Sequence, residues 1–389
     1  MTISAKPSRY DVQALRREEF PWADETLYLN HAGIGPLPER VRQTLESYQR
    51  DRAAAYRLTE GHLFRVLDRA REVAARLINA TPAEIALSTN TSYGINVAAL
   101  SLPLHQGDIV LASDGEFPAN VFPWRQLAKR GVTLELVPVT ADGWPDEARI
   151  AERMPDPRVK VLALSQVQFH TGYHANLRTL SSVARATGTY LVIDAIQALG
   201  QIPFDVQETP VDILACGAQK WLLSPWGSGF TYIRRELVEQ LEPPMAGWTA
   251  FDGTDDLGTL THYQGDWRSD ARRFELVTLP FQDFVGMIGS VELLLELGVD
   301  RIQNHLAEIN RPVLEWAAAR GVRVSSPAAG ASASGMVCLV PPDPAATFAK
   351  LTGAGVVASH REGALRFSPH CYNTIEEMAR LAELLDRSI

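Results

Sequence analysis

Short apolar runs alternate with longer helical patterns along this chain, and this alternation constrains the fold more than any other feature. Most runs are apolar at every position, which is typical of strands that are covered on both faces. Helical patterns lie between them, for example over residues 122–131 and 179–188. The candidate strands span residues 84–88, 108–113, 133–139, 160–167, 190–194, 212–216 and 230–234. The pattern predicts an α/β fold with a mostly parallel, seven-stranded sheet.

The pattern changes after about residue 285. A long helical pattern is followed by a second helix, by short candidate strands near residues 335–340 and 364–368, and by a final helix. This second part predicts a smaller C-terminal α/β domain. The predicted bounds are 24–284 for the large domain, and 1–23 with 285–389 for the small domain.

Composition and charge exclude several classes of function. The chain has 389 residues, of which 46% are hydrophobic, so it can bury a large core. Its net charge of −9 is spread along the sequence, which argues against nucleic-acid binding. No apolar stretch is long enough to span a membrane, and the first residues lack the apolar core of a signal peptide. The three cysteines, Cys216, Cys338 and Cys371, form neither a disulfide framework nor a metal pattern. We therefore expect a cytoplasmic protein without a metal.

Two residues carry the strongest chemical signal. Asp194 ends the apolar run 190–194, and Lys220 follows the run 212–216 among small and aromatic residues. A lysine enclosed by apolar groups has a lowered pKa, which makes it a candidate amine for a Schiff base. A buried carboxylate can hold a proton on a heterocyclic nitrogen. Together they indicate pyridoxal 5'-phosphate (PLP), with the lysine on its aldehyde and the aspartate on its pyridinium nitrogen.

Other residues supply candidates for the rest of such a site. Thr91 and Ser92 open an apolar helix directly after a strand, where backbone amides and the helix dipole suit a phosphate. Phe117 follows a strand end and is the candidate for stacking on the cofactor ring. Arg366 follows a short strand and can bind a substrate carboxylate with its fork of donors. Each also has an ordinary explanation, as a helix cap, a core aromatic residue or a surface cation.

Glutamines and histidines are weaker candidates. Gln197, three residues after Asp194, could meet the phenolic oxygen of the cofactor, and Gln166 or Gln168 could line the same polar edge. The sequence does not choose between the last two. His31 lies in a turn rich in glycine and proline that could line the mouth of the site. The remaining candidates, His170 and His174, are interpreted as surface or loop residues.

These segments together resemble the class V aminotransferase family of fold-type I PLP-dependent enzymes, which includes cysteine desulfurases, kynureninase and isopenicillin N epimerase. The resemblance runs from about residue 26 to the C-terminus. Its motifs are NHAG, TNTSYGIN, EFPANVFPW, VIDAIQALG, AQKWLLSPWGSGF, RRFELVTLP and RFSPHCYNT. The resemblance implies the PLP-dependent transferase fold of type I and the cofactor PLP.

The resemblance also implies roles for individual residues. Lys220 would form the Schiff base, Asp194 would hold the ring nitrogen, and Gln197 would approach the phenolic oxygen. Thr91 and Ser92 would bind the phosphate. The other implied cofactor contacts are Phe117, Gln168 and Gln219.

Further implied roles concern the substrate and a second subunit. Thr278 matches a threonine that the family supplies to the phosphate across a dimer interface, so a homodimer is expected. Arg366 matches the arginine that binds the substrate carboxylate. The turn with Asn30 and His31 would lie at the entrance of the site.

Departures from the family pattern narrow the expected reaction. Desulfurases carry a catalytic cysteine shortly before the arginine motif, whereas the stretch VVASHREGALRF has none. Phe117 stands where desulfurases stack a histidine. Gln219 replaces the usual histidine before the lysine, and Gly217 replaces a phosphate-binding serine. These changes argue against persulfide chemistry and leave Lys220 as the expected general base.

The leading hypothesis is a PLP-dependent enzyme that acts on an amino acid through a carbanion at Cα, with transamination or epimerisation as the outcome. A C–S or C–C lyase is the alternative. A non-catalytic binding protein with the same fold is a third reading, against which Lys220, Asp194 and Arg366 together argue. A nucleotide-binding α/β protein would need a glycine-rich turn or P-loop that the sequence lacks.

Overall fold

The computed structural model describes residues 10–261, 263 and 265–389. Its helices are α1 Val12–Glu19, α2 Glu39–Ala53, α3 Glu60–Leu77, α4 Thr91–Ser101, α5 Phe122–Arg125, α6 Glu147–Arg153, α7 Leu177–Thr187, α8 Arg235–Gln240, α9 Phe281–Leu297, α10 Val299–Ile309, α11 Arg311–Arg320, α12 Pro344–Gly353 and α13 Ile375–Asp386. Its strands are β1 Leu27–Tyr28, β2 Ile85–Leu87, β3 Ile109–Ser113, β4 Thr133–Val137, β5 Val159–Ser165, β6 Tyr190–Asp194, β7 Ile213–Gly217, β8 Gly229–Ile233, β9 Arg323–Val324, β10 Val337–Val340, β11 Val356–Val357, β12 Ser359–Arg361 and β13 Ala364–Phe367.

A seven-stranded sheet forms the centre of the larger part, with the strand order β2-β8-β7-β6-β5-β3-β4. Strand β8 is antiparallel to both of its neighbours, and the other neighbouring pairs are parallel. The predicted α/β class and mostly parallel sheet are therefore confirmed. Each predicted strand falls on one of these seven strands.

The continuous apolar runs are explained by burial on both faces of the sheet. On β5, Leu162 and Leu164 belong to one buried cluster, whereas Val161 and Ala163 belong to a second cluster on the opposite face. Because strand side chains alternate between faces, every position of such a strand meets a covering layer. The helices on the two faces supply those layers.

Two predicted elements differ from the structure. The helix expected over residues 122–131 is only the short helix α5, which continues as a 3-10 helix from Gln126 to Arg130. The strand expected over residues 133–139 ends at Val137. Pro138 follows it and has no backbone N–H to donate to a neighbouring strand.

The smaller part contains a four-stranded antiparallel sheet with the order β12-β13-β10-β9. Residues 27–30 are tied to this part, because β1 pairs with β11 and Asn30 forms a bridge with Ser368. The domain bounds given above remain a prediction. Strands β1 and β11 form a separate two-stranded sheet, so residues just inside the predicted large domain pair with a strand of the predicted small domain.

No helix within the described residues is long and apolar enough to cross a membrane. The same residues contain no group of three or more His, Cys, Asp or Glu side chains that could hold a metal ion.

Candidate active site

The candidate site lies at the carboxyl edge of the central sheet. Ser165, Asp194 and Gly217 are the last residues of the adjacent strands β5, β6 and β7. These three strands are parallel, so their carboxyl ends meet at one edge, where ligands bind in open α/β sheets.

Lys220 and Phe117 face each other across this edge. The Lys220 Nζ atom lies 5.6 Å from the centre of the Phe117 ring. Phe117 is 42% exposed, so it lines an opening instead of belonging to the core. Burial lowers the pKa of Lys220 to about 8, while the negative charge of Asp194 opposes that shift. The lysine therefore has the lowered pKa that the sequence predicted.

Asp194 is buried at the base of the site, and its Oδ1 atom accepts a hydrogen bond of 3.0 Å from the Ile196 amide. Burial raises the pKa of Asp194 to about 7, against the effects of that hydrogen bond and of Lys220. The two charged groups form no ion pair within 4.0 Å. A buried carboxylate and a half-buried amine thus interact electrostatically without forming an ion pair.

Glu116 is a residue that sequence reasoning missed. It lies next to Phe117, is buried, and accepts hydrogen bonds from the Ser165 amide and hydroxyl and from the side chains of Asn120 and Gln168. Burial raises the pKa of Glu116, and the four donors oppose that effect. A carboxylate three residues after the apolar strand β3, next to Phe117, was the available signal. Its negative charge also raises the pKa of Asp194.

The glutamines predicted to line the polar edge of the cofactor are hydrogen-bonded to other protein groups or lie elsewhere. The amide of Gln197 is engaged at both ends, because its Nε2 donates to the Ala32 carbonyl and its Oε1 accepts from Trp221 Nε1. Gln168 is committed to Glu116. Gln166 lines a separate cavity beside Asn176, and its buried Oε1 has no partner among the described residues.

The candidate phosphate cradle brings Thr91, Gly217 and Gln219 together. Thr91 begins α4, and its Oγ1 accepts a hydrogen bond of 2.9 Å from the Gly217 amide. A Cβ atom on Gly217 would lie 2.7 Å from Gln219 Oε1 and 3.4 Å from the Thr91 nitrogen. Gln219 Oε1 is buried without a partner among the described residues. Ser92 is exposed at the same helix end.

Arg366 is a buried cation on strand β13. Its Nη1 donates to the Phe169 carbonyl and its Nη2 donates to Ser359 Oγ, at 3.1 Å for the second bond. The described residues place no carboxylate within 4.0 Å of it, and its Nε is buried without a partner. Burial lowers the pKa of Arg366 to about 10. A buried charge without an acidic partner is costly, so its predicted role in binding a substrate carboxylate fits this environment and stays a prediction.

Asn30 and His31 are neighbours in one turn, but their side chains lie in different environments. Asn30 Oδ1 accepts a 2.9 Å hydrogen bond from Ser359, which connects it to Arg366. His31 is fully buried, with its Nδ1 atom 2.8 Å from the Ser368 carbonyl and its ring packed against His370. The side chain of His31 therefore lines no opening.

His170 and Thr278 are the last two candidates. His170 is half-buried against Phe169, with a ring separation of 5.0 Å, and Phe169 in turn contacts Phe117. Burial lowers the pKa of His170, and the charge of Arg366 acts in the same direction. It thus lies closer to the candidate site than its interpretation as a loop residue suggested. Thr278 is exposed just before α9, and its role across an interface stays a prediction.

The family model for class V aminotransferases matches residues 27–381. This match spans most of the chain. The chain belongs to the class V aminotransferase family. The family's members are PLP-dependent enzymes, so the predictions of a PLP-dependent transferase or lyase, of its cofactor and of an amino-acid substrate are confirmed.

Individual relatives carry two kinds of name. The chain is 30% identical over 309 residues to an uncharacterized aminotransferase, YcbU, of Bacillus subtilis, covering 79% of this chain and 80% of that protein. It is also 30% identical over 295 residues to a probable cysteine desulfurase of Methanothermobacter thermautotrophicus, covering 74% and 72%. A solved cysteine desulfurase of Thermococcus onnurineus aligns with a TM-score of 0.86 at 21% identity, covering 100% and 99%. The structural likeness confirms the fold.

The residues of this edge fit PLP. The start of α4 at Thr91 meets the end of β7 at Gly217, where a Cβ on Gly217 would crowd Gln219 Oε1, so a helix N-terminus and polar side chains lie where a phosphate could bind. Lys220 and Asp194 lie near each other without an ion pair, and Phe117 offers an exposed ring face beside the lysine. These are the donor, acceptor and stacking groups that such a cofactor needs.

Proposed function

We propose that this chain catalyses proton transfer at the α-carbon of an amino acid, with transamination or epimerisation as the outcome. The observation that carries the proposal is the position of Lys220. Its amine lies 5.6 Å from the centre of the Phe117 ring and forms no ion pair with Asp194 within 4.0 Å. Its pKa of about 8 lies well below that of an ordinary lysine, which increases the uncharged fraction to roughly a tenth at pH 7.

Each residue has a proposed role in this reaction. When bound, PLP supplies an electron sink for the charge that develops at the α-carbon. Lys220 removes and returns the proton there. Asp194 holds a proton at the ring nitrogen, and Phe117 covers one face of the ring. Arg366 binds the substrate carboxylate.

The remaining proposed roles concern the phosphate of the cofactor and the polar residues around its ring. Thr91, Ser92 and Gln219 donate to the phosphate. Gln168 acts through Glu116, which it contacts directly. Gln197 orients the turn that carries Asn30, because its amide donates to the backbone of Ala32.

The cysteines support this reaction over persulfide transfer. Cys216, Cys338 and Cys371 are each fully buried, and burial raises the pKa of all three thiols. A nucleophilic cysteine must be accessible and ionised, and these residues are neither. A C–S or C–C lyase is the second candidate, because several relatives are named as probable cysteine desulfurases. With the three thiols buried, such a lyase would have to work without a protein thiol.

We also propose that the chain works as a homodimer in the cytoplasm, with Thr278 of each subunit on the phosphate of the other. The exposure of Thr278 in a single chain supports this role. Exposed aromatic residues such as Trp226 and Trp248 are further surfaces that a second subunit could cover.

Spectroscopy of the purified protein tests the proposal. We expect a visible absorbance band that borohydride removes in the wild type and that is absent in Lys220→Ala. Lys129→Ala, at an exposed lysine, should keep the band. Amino acids should then change the spectrum, and product analysis should find an oxo acid or an inverted α-carbon. A colourless protein that cannot be loaded with PLP would refute the proposal, and persulfide formed from cysteine would refute the assigned reaction.

A further inference from the structure

A second arginine lies on the strand that supports Arg366. Strand β12 pairs with β13 so that Ser359 is opposite Arg366, and Arg361 is two residues further along β12. Residues two apart on a strand project from the same face, about 7 Å from each other. The side chain of Ser359 accepts a hydrogen bond from Arg366. Arg361 therefore projects from the face of the strand that meets the proposed carboxylate site.

Arg361 lacks the carboxylate partner that many arginines of this chain have. Among the described residues, its side chain donates one hydrogen bond, to the carbonyl of its neighbour His360 at 2.9 Å. Within the described part of the chain, no Asp or Glu oxygen lies within 4.0 Å of it. By contrast, exposed arginines elsewhere pair with acids, as Arg42 does with Glu39 at 2.6 Å and Arg158 with Asp156 at 2.8 Å.

The charge of Arg361 reaches into the candidate site. Its positive charge contributes to the lowered pKa of both Lys220 and Arg366. The nearest opposing charge on the same hairpin is Glu362, which acts on His170. The acids Asp194 and Glu116 are buried at the base of the site. Among the described residues, neither Arg361 nor Arg366 forms an ion pair with a carboxylate, although Glu362 lies on the same hairpin.

We propose that Arg361 is a second anion anchor and that the substrate is an amino acid whose side chain also ends in an acidic group. Arg366 would take the α-carboxylate, and Arg361, at the exposed end of the hairpin, would take the distal one. A dianionic substrate would compensate both guanidinium groups, which a neutral amino acid cannot do. This inference rests on the proposed function, because it assumes that Arg366 binds the α-carboxylate.

Substrate discrimination by variants at this position tests the inference. Spectral titration with aspartate, glutamate, asparagine, glutamine and alanine gives an apparent dissociation constant for each. We expect the wild type to bind an acidic amino acid about tenfold or more tightly than its amide, which corresponds to one charge-assisted contact. Arg361→Ala should abolish that preference while PLP content and binding of the amides stay unchanged. Arg361→Lys should keep part of it.

Arg323→Ala is the matched control, since Arg323 is an exposed arginine on the far edge strand of the same small sheet. It should leave the preference intact. Equal binding of acidic and neutral amino acids, or an equal loss of both in Arg361→Ala, would overturn the inference and leave the proposed function standing. A PLP-loaded protein whose spectrum responds to no amino acid would overturn the proposed function itself.

Discussion

At the scale of single residues, the candidate site depends on the lack of a side chain at Gly217. Gly217 is buried beside Thr91 and Gln219, and it is the absence of a side chain that lets the Gln219 amide lie at the cradle. The serine expected here by family resemblance would occupy the same volume. We interpret Gly217 and Gln219 as a coupled pair, in which the long amide uses the room that the glycine provides.

Gly217→Ser tests this coupling. Its Cβ would approach Gln219 Oε1 to 2.7 Å, so the flexible Gln219 amide must move away from its proposed position at the phosphate, at a cost of roughly 1 kcal/mol for one lost hydrogen bond. We expect the dissociation constant for PLP, measured by spectral titration of the apoprotein, to rise about tenfold. Gln219→Ala removes the crowded group, so Gly217→Ser should weaken PLP binding much less in that background than in the wild type. An equal loss in both backgrounds would contradict the crowding explanation.

At the scale of elements, the position of α4 against the sheet sets the geometry of the cradle. Its first residue, Thr91, is bonded to the end of β7, and Gly94 one turn later lies directly on the sheet. A Cβ on Gly94 would be 2.4 Å from Thr231 Oγ1 and 2.6 Å from Ala215 Cβ. The glycine thus permits the close approach of the helix to β7 and β8.

Gly94→Ala should therefore destabilise the protein although alanine favours helix formation. We expect the free energy of unfolding, measured with denaturant, to fall by roughly 1–3 kcal/mol, and PLP affinity to fall with it. Gly353→Ala, at the end of α12 with no atom within 4 Å of the added Cβ, is the control. It should change stability by no more than about 1 kcal/mol, in the stabilising direction. Equal effects of the two substitutions would contradict the close-approach argument.

At the scale of the whole molecule, a buried aromatic cluster joins three distant parts of the chain. His31 comes from the N-terminal segment, Trp221 follows the catalytic lysine candidate, and His370 and Tyr372 belong to the smaller part. His370 Nε2 lies 2.9 Å from the Trp221 carbonyl, and its Nδ1 accepts from the Cys371 amide at 2.7 Å. Protonation of Nδ1 would break that second hydrogen bond.

This cluster predicts a loss of stability in mild acid. Burial lowers the pKa of His370 to about 4, and burial also lowers the pKa of His31. As the pH falls, these histidines are protonated in the unfolded chain at a higher pH than in the folded protein. The free energy of unfolding therefore decreases once the pH drops below the ordinary histidine pKa. Between pH 7 and 5, His370 alone should lower the free energy of unfolding by about 2 kcal/mol. His370→Gln should flatten this dependence, whereas His62→Gln, at an exposed histidine, should leave it unchanged.

Much of the fold and part of the site could be predicted from the sequence, because both depend on local patterns. Apolar runs covered on two faces identified the strands of the central sheet, and a lysine in apolar surroundings after one of them identified Lys220. The family motifs then supplied the cofactor. These signals can be read from the sequence, because each one is formed by residues that are adjacent in the chain.

The tertiary structure decided which side chains are committed to one another. In the sequence, Gln197 and Gln168 look like any polar residue near the end of a strand. In the structure, Gln197 is hydrogen-bonded to Ala32 and Trp221, whereas Gln168 is hydrogen-bonded to Glu116. Likewise, Arg366 looks like a surface cation in the sequence, and only folding buries it without an acid. Hydrogen bonds and desolvation depend on groups far apart in the chain, so they are fixed when the elements come together.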